Sequence, residues 1–269
     1  ASGTTFASDD DPELVKAAAP FSLKLMESLL AENPRHPGLL TATASGFTQY
    51  GYAFVQQEAD EVEPRDFAAA EVMRSRARRL YLRALNYGLR GLEVKHPGFD
   101  KVVLADPKAA VRMTTKADVP LLYWTAAAWA SAISLSKDKP ELIAQIPAME
   151  ALIDRALQLD EGYGRGSIHT FLIAYEMSRS GAAGDPVARA RKHFERAMVL
   201  AEGTDASPLV ALAEAVTIQK QDVKEFESLL NQALAVNPDA NPDKRLLNTV
   251  MQRRARWLLS RKSELFLIE

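Results

Sequence analysis

The sequence predicts an all-α fold assembled from repeated helix pairs, and three observations predict it. Apolar residues recur at helical spacing along most of the chain, as in Leu23, Met26, Leu29 and Leu30, or Tyr81, Ala84, Leu85 and Gly88. No run of alternating β-branched residues bounded by turn signals is present. One spacing of small and bulky residues recurs on predicted helices: Ala77-x3-Tyr81-x2-Ala84, Ala190-x3-Phe194-x2-Ala197, the looser Met149-x3-Ile153-x2-Ala156, and Phe226-x3-Leu230-x2-Ala233.

That spacing is the one that closes a tetratricopeptide-type (TPR) helix pair. Its small residues let two helices approach closely, and its bulky residue fills the groove between them. Residues 23–34 (LKLMESLLAENP) and Asn237-Pro238 have the Asn-Pro finish of such a repeat. Equivalent alanines lie roughly 36 to 72 residues apart, against about 34 in regular repeats. The fold expected is therefore a set of degenerate TPR-like helix pairs with insertions, forming a compact curved α–α superhelical domain.

The starts of the elements are written in one idiom. Asp11-Pro12, Asp106-Pro107, Asp185-Pro186, Ser207-Pro208 and Asn241-Pro242 each set a capping side chain before a proline. The cap accepts from an orphan amide of the first turn, and proline occupies the first helical position, where a missing N–H costs nothing. Asp222-Val223-Lys224-Glu225 is a capping-box-like start, and Gly181, Gly184 and Gly203 fall where helices should stop. Helices are expected over residues 12–33, 37–58, 66–93, 107–112, 119–136, 140–159, 166–179, 186–202, 208–219, 222–236 and 242–262. Residues 60–66 (DEVEPRD) and 96–100 (HPGFD) read as solvated loops, and residues 1–11 as a disordered N-terminal segment. No Pro/Gly/Ser-rich linker divides the rest, so residues 12–269 are expected to form one helical domain.

Composition narrows the function. With Lys plus Arg at 33 and Asp plus Glu at 35, the net charge is −2, a poor balance for a dedicated nucleic-acid binder. The absence of cysteine excludes disulfides, thiolate catalysis and iron–sulfur ligation by this chain. The uncharged stretch over residues 119–136 (VPLLYWTAAAWASAISLS) approaches membrane-spanning length, but its proline, serines and many alanines favour a buried central helix. Residues 1–11 lack the charged and apolar regions of a signal peptide.

No catalytic or metal-binding constellation stands out, and no cofactor is expected. The four histidines, His36, His96, His169 and His193, form no metal-ligand spacing. His169 and Glu176 share one helical face about 10 Å apart along the axis, so they read either as a pocket-lining pair or as groups bonded between helices. Gly162-Tyr163-Gly164-Arg165-Gly166 follows a helix rather than a strand and lacks the last glycine of a dinucleotide fingerprint. It reads as a tight helix-to-helix turn, with anion binding at the N-terminus of the next helix as the alternative. Aromatics cluster around Tyr50 and again at Tyr123, Trp124 and Trp129, either as core or as the lining of a ligand channel. Two helices are basic, one through Arg74, Arg76, Arg78, Arg79, Arg83 and Arg90, the other through Arg245, Arg253, Arg254, Arg256, Arg261 and Lys262. Each is either a solvated, internally paired face or a contact surface for an acidic partner or membrane headgroups.

Residues 9–40 (DDDPELVKAAAPFSLKLMESLLAENPRHPGLL), 162–203 (with GYGRGSIHTFLIAYEMSRSG and ARKHFERAMVLAEG) and 246–267 (LLNTVMQRRARWLLSRKSELFL) closely resemble one family. So do residues 76–93 (RARRLYLRALNYGLRGLE) and 118–136. It is the T component (TatT) of tripartite ATP-independent periplasmic (TRAP) transporters. The resemblance implies a periplasmic, non-enzymatic lipoprotein whose lipid anchor, on a cysteine upstream of residue 1, is its sole tie to the membrane. It implies a homotrimer, a TRAP periplasmic substrate-binding protein as partner, and a channel that shelters or relays a small organic or hydrophobic ligand. Tyr50, Tyr123, Trp124, Trp129, Arg165, His169 and Glu176 are the residues expected to line that channel. The competing expectation is a generic TPR-like scaffold that grips a peptide or helix and holds no small ligand. An enzyme with an unrecognised helical site is the third.

Overall fold

The computed structural model describes residues 2–267, with side chains from Thr5 onward. Among these residues there is no β-strand. In chain order the helices are α1 (Ser2–Ala7), α2 (Pro12–Glu32), α3 (Pro37–Gly51), α4 (Gln57–Val62), α5 (Phe67–Lys95), α6 (Phe99–Val102), α7 (Pro107–Arg112), α8 (Val119–Ser134), α9 (Pro140–Ile143) and α10 (Ile146–Leu159). They are followed by α11 (Ser167–Glu176), α12 (Pro186–Ala201), α13 (Ser207–Leu212), α14 (Ile218–Lys220), α15 (Val223–Ala235), α16 (Arg245–Ser260) and α17 (Lys262–Leu265). Contacts group the chain into two compact units, Lys16–Asp160 and Ala1–Val15 with Glu161–Glu269. Residues 12–269, expected above as one helical domain, are shared between them.

In the unit Lys16–Asp160, α3 packs on α5, α5 on α8, and α8 on α10. In the other unit α11 packs on α12, and α13 with the turn that follows it packs on α15, which packs on α16. The repeated spacing lies on the second helix of each pair: α5, α10, α12 and α15. Ala77, Tyr81, Ala84, Ile153, Ala156, Ala190, Ala197, Phe226, Leu230 and Ala233 are all fully buried, while Phe194 is half-buried. This all-helical, repeated helix-pair packing is consistent with a TPR-like arrangement.

Glycines on α5 set its closest approach. A Cβ on Gly91 would come within 2.9 Å of Leu121 on α8, and one on Gly88 would collide with Thr125. α8 itself is buried nearly all round, from Val119 through Ile133, as the uncharged stretch predicts. Among the described residues no helix is long and apolar enough to cross a membrane.

Several expectations are corrected. The helix begun at Pro37 does not end at residue 58. It continues through a π-helical segment, Tyr52–Gln56, into α4, so the first residues of the expected 60–66 loop are helical, and the chain turns only over Glu63–Arg65. Residues 96–100 are no solvated loop either: Phe99 is fully buried and opens α6, while Glu93 accepts from the amides of Gly98 and Asp100. Residues 140–159 split into α9 and α10, because Pro147 has no N–H to continue the ladder and holds the first turn of α10. Residues 208–219 contain a second π-helical segment, Ala213–Thr217. Within the segment expected to be disordered, Ser2–Ala7 are helical as α1, which touches α16, and the Ser8 carbonyl accepts from Arg245 at 3.0 Å.

Candidate functional site

The expected site residues fall into two groups, one in each unit. In Lys16–Asp160 the aromatic residues divide by environment. Trp129 is 1% exposed, and its indole N–H donates to the Gln145 side chain at 2.9 Å across the α8–α10 turn. Tyr50 is buried on α3, tilted against Phe54 at 5.8 Å and covered by the Arg76 guanidinium. Both therefore serve packing, with their polar atoms matched inside the protein. Tyr123 and Trp124 are half-buried and meet edge to face at 4.9 Å, so this pair keeps aromatic surface open to solvent.

In the second unit, Gly164, Arg165 and Gly166 all take positive φ, which turns the chain into the start of α11. Arg165 sits there at φ 55°, a conformation that a non-glycine residue adopts at a cost, and its exposed side chain pairs with Glu202 at 3.1 Å. A Cβ on Gly166 would lie 3.2 Å from the Ala197 backbone, so glycine is what lets α11 start against α12.

His169 is buried, and its Nδ1 lies 2.9 Å from Nδ1 of His193 on α12. Its Nε2 faces Glu161 at 3.4 Å, and Glu161 in turn is bound by Arg196. Two facing Nδ1 atoms need one donor and one acceptor, so the pair holds together only while at least one of them lacks a proton. Burial lowers the pKa of both histidines, against the pull of Glu161 on His169 and reinforced by the neighbouring His169 on His193. Glu176 is also buried, but two cations meet it: Arg189 at 2.6 Å and Arg179 at 3.1 Å. Arg189 further donates to the carbonyls of Glu176, Ala183 and Gly184, so this carboxylate fastens the turn between α11 and α12.

His169 and Glu176 are thus not one pair; each has its own partner on α12. The partners His193 and Arg189 escape the sequence reading, though both lie beside the Ala190-x3-Phe194-x2-Ala197 spacing, which marks the crossing helix. Asp118 is missed as well. It is 1% exposed, closes a capping box with Thr115, and is held by Lys95 and by His96 at 2.9 Å. Burial would raise its pKa, but the Lys95 ammonium, the Thr115 amide and the hydrogen bond with His96 together outweigh burial and hold it at about 2. Among the described residues no group of three or more His, Asp or Glu side chains could hold a metal ion. A depression of about 240 Å³ lined by Met177, Asp185, Pro186, Val187, Gln219 and Lys220 contains none of the expected site residues.

Helix pairs joined by buried polar partners, with half-open aromatic and basic faces, define a class: an all-α protein of repeated helix pairs, consistent with a TPR-like arrangement. Within that class the chain belongs to the family of TRAP transporter T-components, whose family model matches residues 8–266. It is accordingly a non-enzymatic accessory component of TRAP transport, in a family that faces the periplasm and works with the TRAP periplasmic substrate-binding protein. It is similar to an uncharacterized protein of Treponema pallidum (strain Nichols), 30% identical over 266 residues, covering 97% of this chain and 82% of the relative.

Proposed function

We propose that this protein binds the TRAP periplasmic substrate-binding protein directly and shelters or relays a small organic or hydrophobic ligand on its behalf. The observation that carries the reading is a family match running through both compact units, residues 8–266. In the ligand role, Tyr123 and Trp124 are the residues to test first, because they alone among the expected aromatics keep open surface. Trp129 then acts from behind, holding α8, which carries that pair, through its bond to Gln145. The mature protein is proposed to be periplasmic and anchored by a lipid on an upstream cysteine. It is proposed to be a homotrimer, for which the exposed Phe21, Leu25 and Leu29 on α2 offer an apolar face.

The test is native mass spectrometry of the purified protein, followed by titration of any released ligand onto the Tyr123→Ala and Trp124→Ala variants. A co-purifying small molecule whose binding weakens in both variants, with unchanged melting, supports the relay. Protein that carries no small molecule yet binds the substrate-binding protein would leave the scaffold reading standing.

A further inference from the structure

We propose that one face of α5 is the docking surface for an acidic face of a partner protein, built from Arg76, Arg79, Arg83 and Arg90. This deepens the function proposed above and rests on it: the partner meant is the periplasmic substrate-binding protein.

At about 100° per residue, these four positions fall within a sector of about 60° on the helix, and successive heptad positions are about 10.5 Å apart along it. The guanidiniums are held in place rather than left to sweep through solvent. Arg76 lies over the Tyr50 ring at 5.7 Å, Arg83 over Phe47 at 5.4 Å and Arg90 over Tyr87 at 5.3 Å. Phe47 and Tyr87 stack on each other at 6.2 Å, so the rings under Arg83 and Arg90 are joined. Side bonds fix the stems further: Arg76 donates to the Tyr50 hydroxyl, Arg79 to the Ser75 hydroxyl and Arg90 to the Pro34 carbonyl.

Three of the four charges of the row are left without a carboxylate partner among the described residues. Glu27 pairs with Arg83 at 3.1 Å, but it is shared with Lys24 and with the Tyr87 hydroxyl. Among the described residues no carboxylate pairs with Arg76, Arg79 or Arg90. This is notable in a chain with 35 acidic residues, because Arg74 on the same helix collects Asp60, Glu63 and Glu71. A guanidinium stacked on a ring keeps its N–H fork open for bidentate bonds to a carboxylate, with little further ordering on binding. Such a row matches carboxylates spaced along a partner helix or ridge. A membrane surface is the poorer match: Tyr50 and Phe47 are buried beneath the arginines, where neither can enter lipid, and the whole chain carries −2.

The experiment measures association with the purified TRAP substrate-binding protein of the same organism, by interferometry across a salt series. It compares the full chain, the triple charge reversal R76E/R79E/R90E, the milder R76Q/R79Q/R90Q, and R253E/R256E on α16 as a control. The expected result is a loss of about tenfold or more in affinity for the reversal, carried largely by slower association and a flatter salt dependence. A smaller loss is expected for the glutamine variant, and none for the control. Wild-type binding that all variants retain would overturn the α5 surface and leave the proposed function intact. No binding by the wild-type chain would overturn both. Sedimentation of the wild-type chain, but not the glutamine variant, with phosphatidylglycerol vesicles, while partner binding is equal in both, would reassign the row to lipid headgroups.

Discussion

The two basic helices, α5 and α16, look alike in sequence and differ in what their charges do. On α16, Arg245 pairs with Asp239 at 2.8 Å, Arg253 with Glu13, and Arg254 with Glu214 at 2.6 Å while lying 4.3 Å over the Trp257 ring. Just beyond its end, Arg261 pairs with Glu264 and Lys262 with Glu227. α16 is therefore a fastener most of whose cations are matched inside its own unit, Arg256 alone of those named standing exposed without a carboxylate among the described residues. On α5 the ends are matched, by Asp60, Glu63 and Glu71 around Arg74 and by Asp118 around Lys95, and in the middle Arg83 shares Glu27 with Lys24. Otherwise the middle of its outer face rests on aromatic rings. Basic composition alone separates neither role; what separates them is where acidic residues of other helices come to lie.

The comparison breaks most sharply at the C-terminal end of α5, where Lys95 meets the buried Asp118. Asp118→Ala removes a buried carboxylate and with it the ion pair to Lys95, the bond to His96 and the cap on the Thr115 amide, and should cost about 3 kcal/mol in urea unfolding. The same carboxylate ties stability to acid. Its folded pKa of about 2 lies below the ordinary 3.8, so its contribution is complete above pH 4 and is lost as pH falls toward 2. Asp118→Asn should flatten the wild-type stability curve across that window.

On the inner face of α5, Gly88→Ala should cost about 1–3 kcal/mol, because the new methyl meets the stiff, buried side chain of Thr125 and must push α8 away. A similar loss, about 1–3 kcal/mol, is expected for Arg254→Ala on α16, which removes both the ion pair and the cover over Trp257. Urea midpoints of the two variants against wild type measure both.

A shallower effect is expected at the histidine pair. Both pKa values are depressed in the folded state, so the unfolded chain binds more protons near its ordinary 6.5. Stability is then complete above that range and falls as pH drops through it. His193→Gln should remove part of that slope in melting curves recorded between pH 8 and 5. The smallest effect is expected where α5 and α16 differ most: Arg76→Gln and Arg79→Gln should shift stability by no more than about 0.5 kcal/mol, since neither breaks an ion pair.

Much of the fold is legible in the chain itself. The cap-and-proline pairs place the starts of α2, α7 and α12 at the expected residue, because a side chain three residues from its amide partner is a local interaction. The small–bulky–small spacing identifies the second helix of each pair, because the period of an α-helix puts those positions on one face. Element ends are less legible. The π-helical segments at Tyr52–Gln56 and Ala213–Thr217 carry a helix past the point where loop-like residues begin. α6 forms in a loop-like stretch because Phe99 is drawn into the core.

The candidate site is less legible still. His169 bonds a residue 24 positions away, Trp129 one 16 away, and Arg83 a glutamate on α2. None of these separations follows from local spacing. By itself the sequence determined the helices, their buried faces and the resemblance to a transport accessory family. Only the tertiary structure decided which arginines are neutralised and which lie open on aromatic rings. The physical reason is that helix periodicity is set by bonds within four residues, whereas charge compensation depends on which distant helices packing brings within a few ångströms.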